Sequence, residues 1–398
     1  MAVDPIPVVG LMGVVFGIHI VLVNIDMGLA VLIPLLKRLG EKWEKPRFVD
    51  HARAMMQYLA VIYASAGVFA TGFTVFILSF FPDVLWLAGN ALVIPYGAAT
   101  VFVALRLGTI SAYWYGWDRF KPNHHFLVGL VLASTSFIVP LFFRVTVAVL
   151  NTTNNAIVSF DPILVNIPAA LLNPTLWPLY LKSIFGAFAV TFLLLASFYV
   201  YRLLKGLGDA EENREFIRFY AKAGGVAYLL NLVFGPLYLV SLWFVARYKF
   251  DNMLGPLFGD NSEVPFALVL FGLKTLLLGI QLVAIIYLTW EGVWRDELSF
   301  EEKGSKLALL TFGPAAALTI FVGEIMNGVA QYPWAILEPD LVGRFPQINV
   351  ETTVNDLAAI FDIYAITLFA LTPLLLAMLF LFYWVLQLGN EHIDKPKT

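Results

Sequence analysis

Long runs of apolar residues, separated by short polar stretches, fill this chain from near its first residue almost to its last. A helix needs roughly 20 mostly apolar residues to cross the hydrocarbon, because every backbone amide there must find its partner inside the segment. The pattern predicts spans at 8–36, 58–81, 88–115, 125–150, 178–204, 220–246, 264–293, 307–330 and 358–388. The expected fold class is all-α: a polytopic transmembrane bundle of about nine helices, one domain over 1–398, with 151–177, 247–263 and 331–357 as outer loops. The first run is too long, and too poor in preceding basic residues, for a cleaved signal peptide, so it counts as the first helix.

Composition agrees with that pattern. A chain that is 60% hydrophobic and 13% charged, with a mean hydropathy of +0.81, lies outside the range of soluble domains. Most of the lysines and arginines fall in 37–57, 116–125, 202–222, 294–306 and 389–398, whereas the opposite ends of the spans hold only Arg247, Lys249 and Arg344. Short cytoplasmic loops collect basic residues, so the N-terminus is expected outside and the C-terminus in the cytoplasm. With no cysteine, thiolate-held iron–sulfur clusters, disulfides and cysteine–zinc sites are excluded, and any redox work needs a borrowed cofactor. No basic, aromatic-interleaved surface argues for nucleic acid, and no phosphate loop, Ser–His–Asp pattern or paired-histidine zinc motif is present.

Ionisable residues inside the spans carry the remaining information, since each costs a few kcal/mol at the membrane centre and faces the bundle or a cavity. They are His19 and Asp26 on the first span, Arg106 on the third, Arg144 on the fourth, Lys182 on the fifth, Lys274 on the seventh, Glu324 on the eighth and Asp362 on the ninth. On the expected topology His19, Arg144, Lys182, Lys274 and Glu324 share the outer half of the membrane, with Arg106 deeper. Glu324, Asn327, Gly328 and Gln331 are spaced as one helical stripe that should face protein. Neutral imidazole is an axial haem ligand in membrane cytochromes, so His19 is a candidate ligand, with Glu324 as second ligand or polar partner. Arg144, Lys182 and Lys274 would then pair with propionates or a quinone oxygen. The plainer reading has His19 bonded across helices and the lysines snorkelling to headgroups. Asp26, roughly 10 Å along the axis from His19, serves a separate contact.

Other residues have ordinary expectations. Trp43, Trp86, Trp114, Trp117 and Trp334 read as interfacial belt residues, and His51, His124, His125 and His392 as solvated or headgroup contacts. Asn151-Thr152-Thr153 fits a glycosylation sequon.

Four local patterns carry a family likeness: His19 in the outer half of the first span, GWDR at 116–119, LNPTLWPLYLKSIFGAF at 172–188 and QYPWAI at 331–336. Together with nine spans and an outer N-terminus they resemble subunit I of the cytochrome bd quinol oxidases, over nearly the whole chain. The resemblance implies a bd-type bundle, a respiratory electron-transfer role beside a quinone pool in a prokaryotic cytoplasmic membrane, b-type haem as cofactor, and a second homologous subunit, other electron-transfer subunits and membrane lipids as partners. VNIDMG, Val23 to Gly28, adds a likeness to the first helix of that family's subunit II, which carries no haem.

The departures are as telling. Where the family places its low-spin haem histidine, this chain has Lys182, and the seventh span has no methionine but offers Lys274. Arg106 falls close to a family carboxylate position, and the family's haem-binding glutamate falls at Gly328, with Glu324 one turn deeper. The outer loop that helps bind quinol in that family shrinks to ARYKFDNMLGPLFGDNSEVP. These changes argue against dioxygen reduction by this chain itself. Two readings follow: an electron-transfer subunit holding one haem through His19 and exchanging electrons with quinone or a partner cytochrome, or a haem-free structural or quinone-anchoring subunit paired with a haem-bearing homologue. A small-ion or solute transporter is a third.

Overall fold

The structure is a computed structural model that describes residues 6–80, 89, 92–152, 156–160, 163–259, 264–290 and 303–331. Its helices are α1 (Ile6–Lys42), α2 (Pro46–Phe80), α3 (Val93–Tyr115), α4 (Pro122–Asn151), α5 (Ile167–Leu171), α6 (Leu176–Leu204), α7 (Ala210–Val245), α8 (Arg247–Leu254), α9 (Pro265–Trp290) and α10 (Lys303–Val329). Eight of them, all but α5 and α8, are long and apolar enough to cross a membrane. The span expected at 358–388, with Asp362, and also Trp86, Trp334, Arg344 and His392, lie outside the described residues.

Two helices begin earlier than hydropathy alone predicts, and amphipathicity explains both. In α2 the residues Phe48, Ala52, Met55, Met56 and Leu59 recur at helical spacing and are buried, so the helix continues from Pro46 past the hydrocarbon. α7 starts at Ala210 because the Asp209 carboxylate caps it, accepting from the Glu212 amide at 2.7 Å. The outer segments expected as loops also hold structure. Strands β1 (Ile157–Phe160) and β2 (Ile163–Val165) pair as an antiparallel hairpin, a small exception to the all-α expectation. Asn166 then caps α5, accepting from the Ala169 amide at 3.2 Å. α8 is fastened by the Arg247–Asp251 pair at 2.7 Å, with the Arg247 guanidinium 3.6 Å over the Trp243 ring.

α1 is the central post, touching α2, α4, α6 and α10, while α6 packs along α7, α3 along α4 and α9 along α10. The close approach of α1 to α6 depends on Gly28, where a Cβ would overlap the Thr191 side chain. Thr191 in turn donates to the Asn24 carbonyl at 3.3 Å. A core of Leu29, Ile33, Leu36, Leu193, Tyr220 and Phe312 fills one half of the bundle, and a second of Leu242, Met253, Val264, Ala267, Val329 and Ala330 fills the other.

Ion pairs tie the basic segments together at one end. Lys45 and Arg47 both reach Glu215, at 3.0 and 2.5 Å, and Arg53 reaches Asp118 at 2.8 Å, so segments 37–57, 116–125 and 202–222 meet there. At the opposite end Lys249 donates to Asn151 Oδ1 at 3.2 Å, Gln331 bonds the same oxygen, and Asn252 donates to the Ala330 carbonyl at 3.0 Å. Asn173 of the LNP segment is buried there and donates to the Thr152 carbonyl at 2.8 Å while accepting from the Thr175 hydroxyl at 2.8 Å. That pairing fixes where α6 begins.

Candidate functional site

Between α1, α4, α6, α7, α9 and α10 lies a cavity of about 250 Å³ whose lining includes Arg144, Lys182, Lys274 and Glu324. Four of the five membrane residues expected to share a layer therefore converge. The cations arrive from three helices: Arg144 from α4, Lys182 from α6 and Lys274 from α9. Close packing at Gly323 helps, since a Cβ there would stand 3.1 Å from Lys274 Nζ.

Among the described residues, charge in this chamber is unbalanced. Arg144 faces Glu324 at 3.8 Å, with side chains only 10% and 11% exposed. The Lys182 and Lys274 amines lie within hydrogen-bonding reach of each other, and Lys182 also sits 5.5 Å over the Tyr238 ring. Among the described residues Glu324 is thus the single carboxylate beside three lining cations. Its second oxygen, Oε2, and the Oδ1 of Asn231 on α7 are both buried with no hydrogen-bond partner among the described residues. The stripe of α10 faces protein as its spacing predicts: Glu324 and Asn327 line the chamber, and Gln331 bonds Asn151 beyond it.

Lys249 on α8 lies behind the chamber, 1% exposed. Sequence reasoning assigned it to an outer loop and gave it no role. Burial pushes its ammonium group down to about 7, with Lys182 and Arg144 adding to the shift and Glu324 opposing it.

His19 stands apart from the lining. Its Nδ1 is 2.9 Å from the Ala66 carbonyl on α2, and its ring packs 6.1 Å from Phe16. A carbonyl there takes the Nδ1 proton, leaving Nε2 with its lone pair. Asp26, on the same helix, meets Arg106 instead: the pair is 2.5 Å apart, and Arg106 further donates to Ser136 Oγ at 2.7 Å, Thr135 Oγ1 at 3.1 Å and the Leu132 carbonyl at 3.2 Å.

Four ordinary expectations are corrected. His51 is not a headgroup contact: Tyr220 and Tyr199 hold it from either side, at 2.5 Å from Nε2 and 2.7 Å from Nδ1. His125 is 1% exposed and donates from Nε2 to the Tyr113 carbonyl at 2.9 Å, with buried Trp117 against its ring rather than in an interfacial belt. The amphipathic start of α2 was the signal that could have placed His51 inside, since it lies between Phe48 and Ala52. Asn151 is no glycan acceptor, because its side chain is buried and bonded to Val147, Lys249 and Gln331.

The comparisons with known proteins bear on this arrangement. A family model for cytochrome bd terminal oxidase subunit I matches residues 11–253. The chain belongs to that family. Among solved structures it resembles the bd oxidase of Geobacillus thermodenitrificans, at 16% identity, covering 95% of this chain and 98% of the other with a TM-score of 0.76. No curated protein matches it. The chain is thus a multi-span, subunit I-like membrane protein with the bd fold, and the family match runs from within α1 into α8, including Lys182 and Lys249.

A haem fits the described part of this interior poorly. The chamber falls below the roughly 300–1,000 Å³ of pockets that enclose a drug-sized ligand. Among the described residues no histidine lines it, and Lys182 and Lys274 do. Beside His19 the way toward α10 is closed, because Cβ atoms at Gly13 and Gly17 would lie 3.0 Å from Ile325 and Phe321 of that helix.

Proposed function

We propose that this chain is a subunit of a bd-type respiratory electron-transfer complex in a prokaryotic cytoplasmic membrane, in which it serves as a haem-poor bundle packed beside a haem-bearing homologue. The observation that carries the reading is the meeting of Lys182 and Lys274 in a chamber between the helices, where a family member is expected to bring a histidine and a methionine to a low-spin haem. Two lysines within hydrogen-bonding reach of each other stand in place of the imidazole and thioether that such a haem takes from the family's residues, and both line the space between the helices. The partner then does the electron chemistry with the quinone pool, while this chain anchors the assembly and lipids or quinone cover its outer face.

A reduced-minus-oxidised spectrum of the purified chain tests this reading. No haem band is expected when this chain is isolated from its partner, and a quinol analogue should reduce haem only when the partner is present. A second reading keeps one haem on His19, favoured by the Nε2 lone pair that the Ala66 hydrogen bond leaves free. A band that disappears in His19→Ala establishes that reading and overturns the first.

A further inference from the structure

The charge excess of the chamber asks for a ligand of definite chemistry. Lys182, Lys274 and Arg144 present nitrogen donors to about 250 Å³ of space, and Glu324 returns one negative charge. Uncompensated charges held away from water are costly, and the attraction of a counter-ion in such surroundings is correspondingly strong. On the same walls two buried acceptors, Glu324 Oε2 and Asn231 Oδ1, lack donors. A halide would satisfy the lysines and leave both oxygens unpaired. A fully deprotonated oxyanion would do the same and would also repel the carboxylate.

We infer that the chamber binds a small oxyanion carrying a hydroxyl, of the bicarbonate or hydrogen phosphate class, with its charged oxygens toward Lys182, Lys274 and Arg144 and its O–H toward Glu324 Oε2 or Asn231 Oδ1. Such an ion fills the room of roughly two or three water molecules at ~30 Å³ each, leaving space for bridging water at the remaining acceptor. Nearby groups are consistent with this polarity. Asn24, Ser183, Thr275, Thr319 and Asn327 add neutral polar side chains to the wall, and Glu324 is the only lining carboxylate among the described residues. The ligand bridges cations borne by α4, α6 and α9, so its binding should strengthen the bundle.

This inference rests on the chamber being free of haem, as proposed above, and one preparation separates the two claims. The purified complex is melted in detergent at constant ionic strength in sodium gluconate, chloride, sulfate, phosphate or bicarbonate, and its haem per chain is read from the absorption spectrum. Phosphate or bicarbonate should raise the melting temperature in a saturable way, with the two salts compared to tell which ion is preferred, while chloride and sulfate should match gluconate. Lys274→Gln should raise the half-saturating concentration at least tenfold. Asn231→Leu, which keeps every cation and approximates the size of the amide, should weaken phosphate or bicarbonate without creating a chloride response. Equal stabilisation by sulfate and phosphate, no response to any anion in the wild type, or an unchanged response in both variants would overturn the inference. A haem assigned to this chain's chamber would overturn the proposed function, whereas a haem-free chain with a flat anion response sinks the ligand alone.

Discussion

The buried Asp26–Arg106 pair gives the sharpest test of how this bundle manages charge. The partners are 2.5 Å apart with side chains 8% and 3% exposed. At an effective dielectric near 20, that separation corresponds to roughly 6–7 kcal/mol of attraction. Removing two ions from water costs several kcal/mol each, so the pair as a whole contributes little, while either ion alone is expensive. Asp26→Leu leaves a guanidinium with neutral neighbours alone among the described residues: the Leu132 and residue-26 carbonyls, the Thr135 and Ser136 hydroxyls and the Tyr63 ring. Arg106→Met leaves a carboxylate whose Oδ1 already lacks a partner. Each single change should cost about 3–5 kcal/mol, with Arg106→Met the worse, and the double change should recover most of the loss. Unfolding in mixed micelles titrated with dodecyl sulfate, followed by circular dichroism, supplies the three values. A double variant no more stable than the worse single, or an Asp26→Leu cost below about 1 kcal/mol, would refute the reasoning.

Further outcomes follow from the same contacts. Gly28→Val should break the α1–α6 approach and prevent recovery of folded protein in detergent, whereas Gly67→Ala, at a helical site with open space around the missing Cβ, should be tolerated. Lys249 has its folded value near 7, below its ordinary value of 10.5, so between those two the unfolded chain binds more protons and stability rises with pH. Below about 7 the contribution is flat. Lys249→Met should therefore raise the melting temperature at pH 7 and flatten its climb toward pH 10. Tyr199→Phe removes the hydroxyl on His51 Nδ1 and should cost about 1–3 kcal/mol in the same unfolding assay, because a buried nitrogen loses its partner.

Hydropathy located every described span, because the length of an apolar run is set by the bilayer rather than by contacts. It missed the extensions at Pro46 and Ala210, where the helix leaves the hydrocarbon and only burial periodicity and an Asp209 cap mark its course. The buried charges were legible one by one, since each is conspicuous in an apolar segment. Their pairing was not: Asp26 and Arg106 lie 80 positions apart, and only the α1–α4–α3 packing brings them together. His51 and His125 were misread because a basic neighbourhood in sequence says nothing of which face of a helix turns inward. Lys249 was overlooked because a short polar segment reads as loop until α8 folds it under the bundle.

A density map of the intact complex tests the central claim most directly, in the chamber bounded by Lys182, Lys274, Arg144 and Glu324. The account predicts side-chain density for both lysines with only a compact feature, far smaller than a porphyrin, between them. Planar density the size of a porphyrin at that place, with the lysines displaced or bound to iron, would contradict it.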